Sequence, residues 1–100
     1  MNEIVFDVET KKSFDEVGGR NNLAALGISV LGAYFYRDGS FKAYEEHELP
    51  EFEKELEKAD RVIGFNIFNF DLPVLQPYMG RLALNTLPAL DIFDDVTAKL

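Results

Sequence analysis

The chain has no cysteine and a single histidine, His47, among its 100 residues. The absence of cysteine excludes a disulfide framework and a thiolate metal site. Metal ligands would therefore have to be oxygen atoms, because His47 has no second ligand at a metal-binding spacing. We expect His47 to be an exposed or helix-capping residue.

Basic residues are also scarce, since 10 Lys and Arg face 18 Asp and Glu, for a net charge of -8. This deficit argues against the basic surface that usually binds nucleic acid. A cluster of carboxylates that holds divalent cations would remove the objection, because the cations would mediate the contact with a polyanion. The charge balance weakens a nucleic-acid function without excluding it.

The sequence predicts neither a signal peptide nor a membrane-spanning run. Its start, Met1-Asn2-Glu3, lacks basic and apolar regions, and its longest apolar run, Leu23–Tyr36, contains two glycines and is too short to cross a bilayer. We expect a soluble, cytoplasmic protein with no membrane contact. A length of 100 residues with 47% hydrophobic residues predicts one domain over 1–100.

Hydrophobic periodicity predicts the order βββαβαβα. The predicted strands are Ile4–Val8, Leu26–Tyr36, Phe41–Tyr44, Arg61–Phe65 and Ala89–Asp91, and the predicted helices are Glu48–Ala59, one beginning at Asp71, and Ile92–Leu100. A polar loop, Lys11–Asn22, follows the first strand, and Asp38-Gly39 predicts a hairpin turn. The fold class is α/β: a mixed central sheet with an antiparallel three-strand ribbon, followed by αβαβα.

Two of these elements allow predictions about burial. The apolar run Ile4–Val8 is typical of a central strand buried on both faces. In the first helix, Leu49, Phe52, Leu56 and Ala59 form one apolar stripe. The charged residues of that helix, Glu51, Glu53, Lys54, Glu55, Glu57 and Lys58, are expected on its solvated faces.

Asp7 and Glu9 lie at the end of the first strand. Residues two apart share one face of a strand, with α-carbons roughly 6.5 to 7 Å apart, so the two side chains can close on one cation. Burial of an unpaired carboxylate is costly, and Mg²⁺ is bound by carboxylate oxygens together with waters. A strand that simply ends in solvent is the alternative, because short acidic patterns are weak motifs.

A second apolar strand leads through a polar loop to Asp71, which stands at a helix start. The helix amides would favour the ionised form of Asp71. An ordinary N-cap is the alternative role. If the first and fourth strands are neighbours, Asp7, Glu9 and Asp71 come together at the sheet edge where such folds place their sites.

FDVET (Phe6–Thr10) and NIFNFD (Asn66–Asp71) resemble the first and second motifs of the DEDD-type 3′-to-5′ exonucleases, which have a ribonuclease H-like fold. The longer stretch GFNIFNFDLPVL is similar to the proofreading domain of family B DNA polymerases. The overall layout, including FDEVGG at Phe14–Gly19, resembles the stand-alone YprB-like predicted exonucleases.

The resemblance implies that Asp7, Glu9 and Asp71 are catalytic metal ligands and that Asn66 and Phe70 contact the substrate or shape the site. It implies Mg²⁺ or Mn²⁺ as cofactor and the single-stranded 3′ end of a nucleic acid as partner. Hydrolysis would use two metals about 3.5 to 4 Å apart.

The resemblance also implies a third motif, a Tyr or His three residues before a further Asp, which nothing after Asp91 supplies. Asp94 and Asp95 fall in the first turn of the last predicted helix, where acidic residues are ordinary partners of the helix dipole. We expect an N-terminal part of a ribonuclease H-like domain, with weak metal binding and impaired or absent turnover. An uncovered sheet edge or helix face could favour a homodimer.

Two other functions stay open from the sequence. A non-catalytic nucleic-acid-binding module of the same fold would bind single strands without metal-dependent cleavage. A haloacid-dehalogenase-like phosphatase also has an Asp after its first strand, but it needs a second Asp two residues on, where this chain has Glu9. The Asn66–Asp71 motif has no role in that enzyme, so it ranks last.

Four further residues have two plausible roles each. Phe65 is expected in the core, whereas Phe68 and Phe70 fit core packing and base stacking equally well. Asp91 is expected to cap the last helix rather than to join the site.

Overall fold

A computed structural model describes residues 1–99 of the chain. The strands are β1 (Glu3–Thr10), β2 (Ile28–Phe35), β3 (Ser40–Glu45), β4 (Arg61–Gly64) and β5 (Ala89–Asp91), and the helices are α1 (Leu49–Glu57), α2 (Leu72–Leu75) and α3 (Ile92–Ala98). The predicted order βββαβαβα is confirmed. Leu100, the last residue of the predicted final helix, lies outside the described residues. Within 1–99, no helix has the length and apolar character needed to cross a membrane.

The five strands form one mixed sheet in the order β3-β2-β1-β4-β5. The ribbon β1-β2-β3 is antiparallel, and β1, β4 and β5 run parallel, as the element order predicts. β1 pairs with β4 only over Glu3–Val5, although it stays paired with β2 as far as Thr10. The end of β1 therefore has a strand on one side only.

β1 is central, as predicted, but the prediction that it is buried on both faces is wrong. Ile4, Phe6 and Val8 are buried, whereas Asp7 and Glu9 on the opposite face are exposed. The helices cover the first face, where the Phe6 and Phe52 rings lie 5.8 Å apart. On the other face of the sheet, apolar side chains such as those of Tyr34 and Phe41 are exposed. An apolar sequence therefore does not by itself show that both faces of the strand are covered. The homodimer stays a prediction.

α1 packs through the predicted stripe, with Leu49, Phe52 and Leu56 fully buried. Glu53, however, is not on the solvated face, because only 8% of it is exposed. Its carboxylate accepts hydrogen bonds from the backbone N–H groups of Gly80, Arg81 and Leu82, at 2.9, 3.0 and 2.9 Å. These donors, that of Arg81 foremost, hold the pKa of Glu53 below its ordinary value. Glu53 thus fastens the segment before β5 to α1.

Glu53→Gln should lower the free energy of unfolding by about 1 to 3 kcal/mol, because an NH₂ group, which cannot accept, replaces one of the two accepting oxygens. Since folding lowers the pKa of Glu53 from 4.5, its contribution is present above that pH and is lost as the pH falls through the lowered pKa. Urea unfolding of parent and variant at neutral and acidic pH measures the difference, which should narrow in acid.

Glu51→Gln is the matched control, since Glu51 is exposed on the same helix and its oxygen lies 3.4 Å from Lys42 Nζ. Its effect should stay within about 0.5 kcal/mol. Equal stability of Glu53→Gln and Glu51→Gln would refute the structural role of Glu53.

Candidate functional site

Asp7 and Glu9 stand at the end of β1, on the face of the sheet that the helices leave open. They pair across the ribbon with Gly32 and Val30 of β2. Both side chains are exposed and take part in no ion pair within the described residues. They are therefore free to turn toward a common ligand.

β4 ends one residue earlier than predicted, at Gly64, where the chain turns away from β1. A Cβ atom at Gly64 would overlap the side chain of Ile67 and lie 3.2 Å from the carbonyl oxygen of Phe6, so only glycine fits. Asn66 then adopts a left-handed conformation with φ 59°, which asparagine tolerates better than most residues. A π-helical turn, Ile67–Asp71, leads into α2. Such turns are rare in proteins, and those that occur are often found at functional sites.

The early end of β4 corrects the prediction for Phe65, which is not in the core. Phe65 is 63% exposed, and its ring packs edge-on against Phe93 at 5.2 Å. Phe68 is also exposed, whereas Phe70 is half-buried against the core. The turn at Gly64 moves Phe65 out of the sheet, a change that the apolar run Arg61–Phe65 does not reveal.

Asp71 does not cap α2 with its side chain. Instead, Oδ2 accepts a hydrogen bond of 3.1 Å from the backbone N–H of Val8, at the part of β1 that β4 does not reach. Asp71 is 3% exposed. Burial raises the pKa of Asp71 from 3.8 to about 7, with a smaller contribution from the charge of Asp7, while the Val8 N–H opposes the shift. The N-cap alternative is therefore wrong, and so is the expectation that the helix amides favour the ionised form of Asp71.

Three carboxylates are buried in the described chain, and they differ in their hydrogen bonds. Glu53 accepts three backbone N–H groups from other segments and Asp91 accepts four N–H groups in all, whereas Asp71 accepts one, from Val8. Buried charge is tolerated when hydrogen bonds or a counter-charge stabilise it. Asp71 is the buried carboxylate with the least such support.

The structure brings Asp71 to β1 one residue from Asp7, but it does not draw all three predicted ligands into one tight group. Within residues 1–99, the group of three whose ligand atoms all lie within 4.8 Å is Glu45, His47 and Glu48. The metal-binding role of Asp7, Glu9 and Asp71 stays a prediction.

The group at Glu45, His47 and Glu48 has a structural explanation. Glu45 and Glu48 form a capping box, in which the N–H of Glu45 donates to Glu48 Oε1 at 2.9 Å and the side chain of Glu45 accepts in return. His47 is exposed, as predicted. The sequence signal for this group is only a short acidic run around one histidine, and its carboxylates already satisfy backbone donors.

The two predicted substrate-side residues lie on either side of Ile67–Asn69. Asn66 is half-buried, and its Oδ1 accepts from Asn69 Nδ2 at 3.3 Å. The Phe70 ring meets Phe14 of the polar loop edge-on at 6.1 Å. Phe70 also lines a cavity of about 140 Å³ beside the end of β1, together with Thr10, Lys12, Ser13, Phe14 and Leu26.

The cations of the polar loop are partly engaged. Lys11 Nζ lies 2.7 Å from Glu46 Oε1, and the Arg20 guanidinium stacks 4.7 Å above the ring centre of Phe14. Arg20 and Lys12 are exposed, so both remain accessible to a phosphate.

Asp91 has more contacts than the sequence predicts. It caps α3 as expected, accepting from the N–H groups of Phe93 and Asp94. It also accepts from the N–H groups of Asn66 at 2.7 Å and Phe68 at 3.0 Å, so it holds the loop that leads to Asp71. Burial acts to raise the pKa of Asp91, but the four donors together outweigh it and lower the pKa. Only a predicted β4-β5 pairing could have suggested these loop contacts.

A larger cavity of about 540 Å³ opens beside α2. Its lining consists of Phe68, Leu72, Pro73, Gln76, Ala83, Leu84, Asn85, Leu87 and Ala89. None of these residues is charged, so this cavity offers no carboxylate for a metal.

Comparison with known proteins identifies a likeness of fold. No family model and no curated protein matches the chain. Among solved structures, it is similar to the family B DNA polymerase from the hyperthermophilic archaeon Pyrobaculum calidifontis, with a TM-score of 0.67 and 17% sequence identity over 97% of this chain. The match spans only 16% of the polymerase chain. At this identity the comparison establishes the fold alone: an α/β domain of the kind found within a DNA polymerase.

Proposed function

We propose that the chain is a metal-dependent 3′-to-5′ exonuclease-like domain of the ribonuclease H-like fold, which acts on the single-stranded 3′ end of a nucleic acid. One observation carries the proposal: the buried carboxylate of Asp71 is fixed to β1 beside Asp7 without a cationic partner. Within residues 1–99, no Lys, Arg or His nitrogen lies within 4.0 Å of either carboxylate.

A divalent cation is the partner that fits this arrangement. The carboxylates of Asp7 and Asp71 repel each other, so the charge of Asp7 helps to raise the pKa of Asp71. A bound cation would reverse that repulsion and supply the missing counter-charge. Mg²⁺ and Mn²⁺ suit the purely oxygen donor set of Asp7, Glu9 and Asp71. The exposed side chains of Asp7 and Glu9 must rotate to join Asp71.

The residues of the chain have distinct roles in this function. Asp71 is held rigid by its bond to Val8, whereas Asp7 and Glu9 adapt to the ligand. When bound, the cation supplies a water of lowered pKa and a counter-charge for the leaving 3′ oxygen. Phe70 provides an aromatic wall beside the end of β1, where a terminal base can stack. Asn66 determines the course of the turn that carries Asp71.

The net charge of -8 sets a condition on substrate binding. A polyanion approaches this chain favourably only where cations are held, either as bound metal or as Arg20 and Lys12 of the neighbouring loop. Substrate affinity should therefore depend on the divalent cation. A non-catalytic nucleic-acid-binding module of the same fold is the second candidate, and it would bind single strands without cleaving them.

Asp7→Asn should weaken Mn²⁺ binding at least about tenfold, because it removes an anionic ligand without disturbing the core. Calorimetric titration of the 100-residue chain measures the affinity, and release of mononucleotides from a 3′-labelled single strand measures hydrolysis. We expect any metal-dependent hydrolysis to disappear in Asp7→Asn.

Two control variants locate the metal. Asp15→Asn changes an exposed loop carboxylate and should bind Mn²⁺ as the parent does. His47→Gln tests the group at the start of α1. Loss of binding in His47→Gln but not in Asp7→Asn would place the metal at that group and refute the proposal.

Asp71→Asn should stabilise the metal-free chain at neutral pH. Because folding raises the pKa of Asp71 from 3.8 to about 7, the folded chain binds this proton more tightly than the unfolded chain, and stability falls as the pH rises between those values. Asn removes the charge and keeps an acceptor for Val8. The gain should be on the order of 2 kcal/mol at neutral pH and should vanish in acid.

Thermal unfolding across this pH range, with and without Mn²⁺, tests the expectation. Added Mn²⁺ should stabilise the parent but not Asp71→Asn. A variant that is less stable than the parent at every pH would contradict the assignment of Asp71 as an uncompensated buried charge.

A further inference from the structure

Asp91 does more than cap a helix. Its buried carboxylate accepts four backbone N–H groups from two segments of the chain, although a helix cap needs only the two donors of the first turn. The other two donors, Asn66 and Phe68, lie 25 and 23 residues away in sequence. The bonds to Asn66 and Phe68 therefore do not serve to cap α3.

The two oxygens of Asp91 divide this work. Oδ1 accepts from Asn66 and from the first turn of α3, whereas Oδ2 accepts from Phe68 alone, at 3.0 Å. The shortest of the four bonds, 2.7 Å, goes to Asn66, the residue with positive φ. The carboxylate thus stabilises the backbone where the chain leaves β4 in a conformation that costs free energy.

The turn that follows is fastened at both ends. Asp91 holds its start at Asn66 and Phe68, and the bond from Val8 to Asp71 holds its end on β1. Within the turn, the N–H of Phe70 donates to the carbonyl of Asn66 at 3.1 Å, which links the two ends. One hydrogen-bonded turn therefore connects Asn66 to Asp71.

We propose that Asp91 is a positioning residue, which fixes the turn at Asn66–Asp71 and thereby holds the Asp71 carboxylate against Val8 of β1. It touches neither metal nor substrate, and it acts through Asp71. Its consequence for metal affinity rests on the proposed function, whereas its consequence for the contact between Asp71 and Val8 does not.

Asp91→Asn and Asp91→Ser test this role. Asn can keep Oδ1 as acceptor for α3 but would present an NH₂ group to the N–H of Phe68. Ser is a good N-cap but has one oxygen, too few for both segments. Asp94→Asn is the matched control, because Asp94 is an exposed acidic residue of the same first turn and its side chain makes no bond to the loop.

Hydrogen exchange of single amides by NMR provides the main measurement. We expect the Val8 amide to exchange about tenfold faster in both Asp91 variants, relative to the amides of β2, and to be unchanged in Asp94→Asn. Mn²⁺ affinity should fall about tenfold in the same two variants, as for residues that orient a metal ligand.

Each outcome decides the proposal. Unchanged protection of Val8 in both Asp91 variants, or an equal loss of protection across β1 and β2, would reduce Asp91 to a structural cap and overturn it. If the parent binds no Mn²⁺, the proposed function fails, and the Val8 amide still tests the positioning role. Faster exchange at Val8 without a loss of Mn²⁺ affinity would contradict the link from Asp91 to the metal site.

Discussion

The hydrogen bond from the Val8 N–H to Asp71 Oδ2 is the contact on which the candidate site depends. β4 pairs with β1 over three residues only, so the end of β1 lacks a strand partner on that side. Asp71 supplies an acceptor there, and in doing so its carboxylate becomes buried. The same interaction that completes the edge of β1 creates the uncompensated charge.

The other two buried carboxylates of the described chain are stabilised by several hydrogen bonds each. Glu53 binds one backbone segment through three N–H groups, Asp91 binds two segments through four, and both have lowered pKa values. They act as clamps and need no counter-ion. Asp71 has one such donor and a raised pKa. It therefore differs from Glu53 and Asp91, whose carboxylates are fully used in holding backbone segments.

Much of the fold could be predicted because periodicity and turn chemistry are local. The hairpin near Asp38-Gly39, the stripe of α1 and the order of elements depend on neighbours in sequence, and they were predicted correctly. The hairpin loop is longer than a two-residue Asp-Gly turn, because Phe35 pairs with Ser40. Glu53 was misplaced because its donors lie 27 to 29 residues away. Phe65 was misplaced because the chain turns at Gly64, which lies close to the carbonyl oxygen of Phe6, a residue distant in sequence. The motif residues Asp7 and Asp71 could be proposed from sequence, but the bond to Val8 could not.

The sheet also sets an order in time for assembling this region. The ribbon β1-β2-β3 joins residues that are closer in sequence, at most 31 apart for Ile4 and Phe35, whereas the contact between Val8 and Asp71 joins residues 63 apart. Closing a longer loop costs more chain entropy before its contacts form, so we expect the ribbon to fold first. Until that last closure, Asp7 lies on an open ribbon in water, and Asp71 is not yet held beside it.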